Sequence, residues 1–347
     1  MADGPKAGGV PRRRFPWRSI GLYGLAAVFL SLVVWRSRVW EAGDSFQRVD
    51  ALTIVVVPLL SLVIAVPLAV RGRAVLAALG HRFSALSLIP VTFYGNTVGF
   101  LTPAASGELL RPSLLERGFG VPLARGAAVV LYERLFSMYL MCLTGLLAFT
   151  WTGTIPVAAS VGLAPVIAAL ALTPMGIVMA FDLRLGRVGE RLPAFIRSRL
   201  GGLSGTGDAM DSLWRSPRLA LTFVAFSVVV FGVMMLQFWL LVKGTGEDIS
   251  LTEAWVVLFA ANMAGVFSGL PLGLGATDAT MVSLLNAYGV DLSAAAAITV
   301  LARVLINLPA GIFGLVAYLL AVRQTGAAIP VEEQRPPTIG RTVGEAS

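Results

Sequence analysis

The chain has 347 residues, of which 56% are hydrophobic and 13% charged, and its mean hydropathy is +0.81. These values exclude a soluble multidomain protein and indicate an integral membrane protein. The net charge of +8 is typical of some nucleic-acid-binding proteins, but the basic residues lie between long apolar runs and are not interleaved with aromatic residues. We therefore expect no nucleic-acid partner and instead expect contact with anionic membrane lipids.

Cysteine and histidine each occur once, as Cys142 and His81. Within one chain this excludes disulfides, zinc sites built from Cys and His, and a histidine-dependent catalytic triad. The sequence also contains no P-loop, no dinucleotide fingerprint and no HExxH motif. We predict no metal and no cofactor, and no ATP hydrolysis by this chain.

Six stretches are long and apolar enough to span a membrane, which requires about 20 mostly apolar residues. They lie at about 18–35, 51–70, 126–150, 156–181, 219–242 and 294–322. No small-residue cleavage site follows the first stretch, so we interpret it as a retained span and not as a signal peptide.

Two further apolar stretches, at about 84–117 and 254–288, are interrupted in the middle by proline, glycine and acidic residues. Interrupted helices at membrane depth are tolerated where the free backbone groups line protein, water or ligand, so we interpret each stretch as a broken or re-entrant hairpin. The helix-breaking residues are Pro103, Gly107, Pro271, Gly273 and Gly275. The predicted fold is an all-α polytopic membrane protein with about six full spans and two such hairpins.

Basic residues predict the orientation, because short cytoplasmic loops are enriched in Lys and Arg. This rule places four segments in the cytoplasm: the tail 1–17, the loop near 71–82, the basic loop 182–218, and the tail 323–347, which we expect to be disordered. We expect the loop 182–218 to form short amphipathic helices on the membrane surface. Counting crossings then requires the first interrupted stretch to enter and leave on the cytoplasmic side, or else to cross twice, and the second to enter and leave from the outside.

The two interrupted segments resemble each other, with offsets between 166 and 171 residues. The first holds Asn96, Pro103, Gly107-Glu108, Gly118, Ala124 and Arg134, and the second holds Asn262, Pro271, Thr277-Asp278, Gly289, Ala294 and Arg303. We therefore predict two repeat units, at about 51–150 and 219–322, within a transmembrane domain at 18–322. Because the hairpins are placed on opposite sides, the predicted repeat is inverted, as in carriers whose site lies near the midplane.

Ionisable groups at membrane depth are costly and usually face a cavity or a partner. Glu133, Arg134, Asp278 and Arg303 are expected at this depth, together with Glu108 and Arg111 if the first hairpin is deeply inserted. Glu108 and Arg111 are three residues apart on one helical face and are predicted to pair with each other. The adjacent Glu133 and Arg134 point about 100° apart and are expected to contact different neighbours.

These charges allow two interpretations. In the functional one, Arg134, Arg303 and Arg111 bind a phosphate-bearing group, because the guanidinium donors match phosphate oxygens. In the structural one, the same arginines pair with acidic residues and hold the broken helices in place. Asn96 and Asn262 would bind substrate or the broken backbone. The candidate substrate-binding residues are Asn96, Glu108, Arg111, Glu133, Arg134, Asn262, Asp278 and Arg303.

Three motifs together resemble the lysylphosphatidylglycerol synthase transmembrane family, also described as flippase-like membrane proteins, over roughly 18–322. They are Thr102-Pro103 with Gly107-Glu108-Leu109-Leu110-Arg111-Pro112, then Glu133-Arg134, then Pro271 through Asp278. This sequence has Leu272 where the family commonly has glycine and Asp278 where it commonly has glutamate. The aminoacyl-transferase domain of the best-known members is missing from this sequence.

The resemblance implies a stand-alone membrane unit of the bacterial-type inner membrane. Relatives are implied to move lysyl-phosphatidylglycerol, hopanoids or polyprenyl-linked sugars, or to lie beside the enzymes that make them. Our hypothesis is a non-enzymatic translocator of an anionic or phosphate-headed lipid, with both termini cytoplasmic and with membrane lipids and lipid-synthesis enzymes as expected partners. The alternatives are a membrane-embedded enzyme that uses Glu108, Glu133 or Asp278 as acid or base, and an accessory scaffold. The sequence leaves the oligomeric state open.

Overall fold

The computed structural model describes residues 31, 49–101, 108, 110–152, 205–270 and 273–325, and every regular element in these ranges is a helix. Among them, five helices are long and apolar enough to cross a membrane: Ala51–Ala78, Leu123–Phe149, Pro217–Gly244, Leu251–Ser268 and Leu292–Ala317. The prediction of an all-α polytopic membrane protein is confirmed. Four of the six predicted spans coincide with these helices, whereas those at about 18–35 and 156–181 lie almost entirely outside the described residues.

The N-terminal half of the described chain contains five helices. They are α1 at Ala51–Val63, α2 at Ala65–Ala78, α3 at Ala85–Leu101, α4 at Leu110–Phe119 and α5 at Leu123–Thr152. Asp50 caps the first of them by accepting the backbone N–H of Thr53. The break at Ile64 between α1 and α2 is explained by Pro67, which has no N–H and whose ring crowds the carbonyl four residues earlier.

The C-terminal half contains α6 at Thr206–Trp214, α7 at Pro217–Gly244, α8 at Leu251–Ser268, α9 at Ala276–Ala287, α10 at Leu292–Ala302 and α11 at Leu308–Thr325. A π-helical segment at Arg303–Asn307 joins α10 to α11. The start of α8 is marked in the sequence by a capping box, in which Ser250 and Glu253 each accept the other's backbone N–H.

The helix α2 extends beyond the apolar run from which it was predicted. The loop expected near 71–82 begins only after Ala78, because Arg71–Ala78 is rich in strong helix formers and the chain turns at Gly80, which has a φ of 87°. Arg71 therefore lies inside a helix that is a candidate membrane span and is 6% exposed, which corrects its assignment to a loop.

Two further boundaries differ from the sequence-based expectation. α8, expected to be one arm of a broken hairpin, is by itself long enough to span a membrane. The turn before α5 is made by Gly120, which has a φ of 65°, whereas Gly118, the residue aligned with the turn glycine of the second unit, lies inside α4. A glycine is suited to this turn because it readily adopts a positive φ.

The helices of the two predicted repeat units begin at similarly spaced positions. In the first unit α3, α4 and α5 begin at Ala85, Leu110 and Leu123, and in the second α8, α9 and α10 begin at Leu251, Ala276 and Leu292. In both units the described helices follow the same order, namely an apolar helix, a short helix and a long helix.

Two clusters of buried side chains pack the helices together. The first core combines α2, α3, α4 and α6 with the first half of α5 and with Leu219 and Phe223 near the start of α7. The second core combines α8, α9 and α10 with Met141 and Cys142 of α5 and with Phe238 and Leu241 near the end of α7. The two cores therefore lie at opposite ends of α7.

Close packing between α5 and α8 depends on a missing side chain. A Cβ atom at Gly145 would overlap the ring of Phe259, which is fully buried. Small residues at such contacts are typical of membrane helices, because lipid supplies no hydrophobic driving force and association depends on close packing.

The described part of the basic loop 182–218 packs on the protein. α6 buries Met210 and Leu213 in the first core, where they contact the side of the bundle formed by α5. The remainder of the loop, 182–204, is outside the described residues, and the position of its amphipathic pieces on the membrane surface stays a prediction.

Candidate functional site

The first ion pair of the candidate site joins the first break to a long helix. Arg134, on α5, donates from Nη1 to Oε1 of Glu108 at 2.8 Å. The side chain of Glu108 is 18% exposed and that of Arg134 is 38% exposed, so the pair is partly accessible. Glu108 precedes α4 by two residues, which places the carboxylate at the end of the break.

The second ion pair occupies the corresponding place in the second unit. Arg303 donates from Nε to Oδ1 of Asp278 at 3.0 Å, and its Nη2 lies 2.9 Å from the same oxygen, which completes the ion pair. The other oxygen, Oδ2, accepts the backbone N–H of Gly275 at 2.8 Å, as expected for a carboxylate in the first turn of a helix. Asp278 is only 2% exposed and is thus held by the helix start and by the arginine together.

Both arginines lie at the same depth along their helices. Arg134 is eleven residues from Leu123, where α5 begins, and Arg303 is eleven residues from Leu292, where α10 begins. At 1.5 Å per residue this is about 16 Å, roughly half of the hydrocarbon thickness of a bilayer. Two ion pairs thus occur at equivalent positions of the two units, near the middle of the spans.

The backbone at Arg303 departs from α-helical geometry. The segment Arg303–Asn307 is π-helical, and Pro309 follows within one turn. Because proline has no N–H to close a turn onto the carbonyl four residues earlier, it widens the helix locally. Such π segments frequently occur at functional sites, and this one begins at the arginine of the second ion pair.

A third ion pair lies in the first unit and has no counterpart at the equivalent described positions of the second unit. Arg111, near the start of α4, pairs with Glu133 of α5, and both side chains are almost fully buried. Arg111 also donates from Nη2 to the Thr92 hydroxyl at 3.2 Å. By the spacing of the repeat, the second unit has Met281 and Ala302 in the matching places, and both are apolar and buried.

The observed pairs differ from the pairing expected from spacing. Glu108 and Arg111 were predicted to pair with each other, but each pairs with α5, Glu108 with Arg134 and Arg111 with Glu133. The reason is that α4 begins only at Leu110, so that Glu108 and Arg111 do not share a helical face. The expectation that Glu133 and Arg134 contact different neighbours agrees with the structure.

Arg71 lies among these buried charges but is not one of the candidate residues predicted from the sequence. Its Nη1 donates to the Ser227 hydroxyl at 3.2 Å and its Nη2 to the Ser137 hydroxyl at 2.8 Å, and its guanidinium lies 4.2 Å from the centre of the Phe223 ring. It is close enough to interact electrostatically with Arg111 and Glu133. The sequence did contain a signal for this position, because the helical period continues through Arg71. The positive-inside rule instead favoured a loop there.

Gly72 has no side chain, and this leaves space for Arg111 and Glu133 next to the backbone of α2. A Cβ atom at Gly72 would lie 3.1 Å from Oε1 of Glu133 and 3.3 Å from Nη2 of Arg111. The backbone of α2 therefore approaches the Arg111–Glu133 pair directly. We refer to Arg71, Arg111 and Glu133 as the buried charge cluster.

The remaining candidate residues are two asparagines and the residues of the predicted breaks. Asn262 donates from Nδ2 to the carbonyl of Leu258 in its own helix at 2.8 Å, and Asn96 is half-buried in α3. Gly273 and Gly275 lie in the break before α9 with φ values of 59° and 81°. Pro103, Gly107 and Pro271 are outside the described residues. In the part of the chain that the structure describes, no three His, Cys, Asp or Glu residues could together hold a metal ion.

The linker after α2 holds the single histidine. Arg125 donates from Nη1 to Nε2 of His81 at 3.1 Å, which requires a neutral imidazole, and the His81 ring stacks on Phe83. Burial lowers the pKa of His81 below its usual value of 6.5, and the positive charge of Arg125 lowers it further.

Comparison with known proteins gives two matches. The family model described as "Lysylphosphatidylglycerol synthase TM region" matches residues 20–314, a range that includes every candidate site residue. The chain is also similar to a "UPF0104 membrane protein" of Methanothermobacter thermautotrophicus, with 25% identity over 315 residues, which cover 82% of this chain and 89% of that protein.

Proposed function

The chain belongs to the lysylphosphatidylglycerol synthase transmembrane family, and from this we propose that it translocates an anionic or phosphate-headed lipid between the leaflets of the membrane. The headgroup passes along the polar centre of the protein, by which we mean the ion pairs Glu108–Arg134 and Asp278–Arg303 and the buried charge cluster. The acyl or prenyl tails stay in lipid. The protein itself performs no chemical step on the lipid.

The recurrence of the ion pairs Glu108–Arg134 and Asp278–Arg303 carries this proposal. A pair that only stabilised one helix contact would have no reason to recur at the same depth in a second unit. Arginine also provides a fixed fork of donors that matches phosphate oxygens. The accessible guanidinium of Arg134 favours exchange of its carboxylate partner for a phosphate group.

The packing of the helices supports an inverted repeat and alternating access. The two cores lie at opposite ends of α7, as expected if the two breaks open toward opposite sides of the membrane. Rocking of one unit against the other would then expose the polar centre first to one leaflet and next to the other. On this basis we also propose a multi-pass location in a bacterial-type inner membrane, with both termini in the cytoplasm.

A second candidate function is that of an accessory unit beside a lipid-synthesis enzyme. The observation that favours it is the description of the family model, which refers to the membrane region of a synthase. In this case the ion pairs would hold the helices together and would not contact a lipid headgroup.

Leaflet exchange in proteoliposomes tests the proposal. Fluorescent phospholipids and a polyprenyl-phosphate probe would be followed with wild-type protein, with Arg134→Ala and with Arg303→Ala, at matched amounts of folded protein. Arg215→Ala is the control, because Arg215 forms an exposed ion pair with Asp211 of α6.

We expect exchange in the wild type and in the control, and loss of exchange in both site variants. Exchange that persists at the wild-type rate in Arg134→Ala and Arg303→Ala would refute the role of the ion pairs. Absence of exchange for all probes would favour the accessory function, and a chemical change of a lipid would instead show an enzyme.

A further inference from the structure

Arg71 is a buried arginine without a carboxylate partner of its own. Among the described residues its guanidinium donates only to two serine hydroxyls, whereas Glu133 makes its ion pair with Arg111. Charged groups inside a membrane span normally have a counter-charge or face a water-filled path. The buried charge cluster of Arg71, Arg111 and Glu133 therefore has a net charge of +1 that no described side chain neutralises.

The same three side chains have unused hydrogen-bonding capacity. Nε of Arg71, Nε of Arg111 and Oε1 of Glu133 have no hydrogen-bond partner, although each of these residues is at least nine-tenths buried. Buried polar atoms are almost always satisfied, so three unsatisfied atoms in one cluster need an explanation. Two are N–H donors and one is a carboxylate acceptor.

A ligand that completes this cluster has a defined chemistry. It needs acceptor oxygens for the two guanidinium N–H groups, one negative charge to balance the cluster, and a donor group for the free oxygen of Glu133. A phosphodiester supplies the oxygens and the single charge. The donor must be uncharged, such as a hydroxyl, because an ammonium group would cancel the negative charge of the ligand.

The net charge is also +1 when all the ionisable side chains of the candidate site are counted together with Arg71. They are Arg71, Arg111, Arg134 and Arg303 against Glu108, Glu133 and Asp278. The ion pairs Glu108–Arg134 and Asp278–Arg303 are each neutral, so the excess belongs to the buried charge cluster.

We propose that Arg71 and Arg111 bind the phosphate group of the translocated lipid, and that this lipid is a phosphodiester with one net negative charge and a hydroxyl-bearing headgroup. Glu133 then accepts a hydrogen bond from that hydroxyl. The proposal rests on the proposed translocation and names the substrate class and the residues that recognise it. In the structure α2 packs against this site at Gly72.

Equilibrium binding of short-chain lipids to the purified full-length protein in an uncharged detergent tests the proposal without any transport step. The probes are dihexanoyl phosphatidylglycerol, phosphatidylethanol and phosphatidylcholine, measured by native mass spectrometry. Phosphatidylethanol has the same charge as phosphatidylglycerol but no headgroup hydroxyl, and phosphatidylcholine has no net charge. The variant is Arg71→Gln, and the matched control is Arg73→Gln, an exposed arginine two residues further along α2.

We expect wild type and Arg73→Gln to bind phosphatidylglycerol most tightly, and Arg71→Gln to bind it about tenfold more weakly or worse, as for loss of a charged hydrogen bond. Binding of phosphatidylcholine should not change between the three proteins. Equal affinities of Arg71→Gln and wild type for phosphatidylglycerol would overturn the proposal. Equal affinities of the wild type for phosphatidylglycerol and phosphatidylcholine would also overturn it, and equal affinities for phosphatidylglycerol and phosphatidylethanol would remove the role of the hydroxyl.

Two further measurements keep the outcomes separate. If Arg71→Gln does not fold, Arg71→Lys retains the charge but not the planar fork, and it should fold while still losing affinity for phosphatidylglycerol. Leaflet exchange is then measured on the same preparations. Selective, Arg71-dependent binding without exchange would refute translocation and leave the binding site standing, whereas exchange that is indifferent to Arg71→Gln would refute the binding site alone.

Discussion

Removing Glu133 should destabilise the protein more than removing its partner Arg111. Both side chains are almost fully buried, with exposed fractions of 8% and 7%. Glu133→Gln leaves two buried guanidiniums, those of Arg71 and Arg111, without any carboxylate, and breaking a buried ion pair in this way costs about 3–5 kcal/mol. Arg111→Met leaves Glu133 beside Arg71, so that a counter-charge remains, and we expect a smaller cost of about 1–3 kcal/mol.

The free energy of unfolding can be measured in mixed micelles by titration with sodium dodecyl sulfate, with the fluorescence of the 7 tryptophans as the signal. Arg215→Met is the control, because Arg215 and Asp211 form an exposed ion pair with side chains 79% and 55% exposed. Such a pair contributes at most about 1 kcal/mol. The control separates the effect of a buried charge from that of losing any ion pair.

The reasoning is tested by which of the two variants loses more of the free energy of unfolding. If Arg111→Met is as destabilising as Glu133→Gln, or more so, then Arg71 does not act as a second positive charge on Glu133. If neither variant costs more than the exposed control, the cluster is solvated and the reasoning from burial is wrong.

Three other results are expected from the structure. Stability should fall as the pH drops below about 6.5, because the folded state lowers the pKa of His81 and the unfolded state therefore binds the proton more readily. Melting curves recorded over a pH series should show a smaller loss of stability at acid pH for His81→Asn than for the wild type. An equal loss in both proteins would contradict this role of His81. Gly273→Ala should destabilise strongly, because φ is 59° and the new Cβ would lie 2.8 Å from the Gly265 Cα atom; a melting temperature equal to that of the wild type would argue against this contact. Ser250→Ala should cost about 1 kcal/mol through loss of the cap of α8, measured by the same detergent titration, and Ser250→Asp, which retains a capping oxygen, should restore most of it.

The sequence located the charges of the candidate site but not their partners. Composition and apolar run length were enough to predict the helical membrane fold. The recurrence of proline, glycine and acidic residues predicted two breaks, and most of the first, at 102–107 and 109, lies outside the described residues. The pairing of Glu108 was predicted wrongly because it was argued from spacing on one helix. Its true partner, Arg134, is 26 residues away along the chain and comes close only when α4 and α5 pack together.

The sequence by itself therefore determined the features that depend on local composition. An apolar run of sufficient length predicts a span, proline or glycine predicts a break, and an acidic residue stabilises the start of a helix. Only the tertiary structure decided which charges neutralise each other and which one is left over. Arg71 illustrates the difference, because its neighbours along the chain are typical of a helix end near a basic loop. Its burial among Ser137, Ser227 and Phe223, from two other helices, is set by packing over long sequence separations, and that packing gives the first unit an unpaired positive charge in its interior.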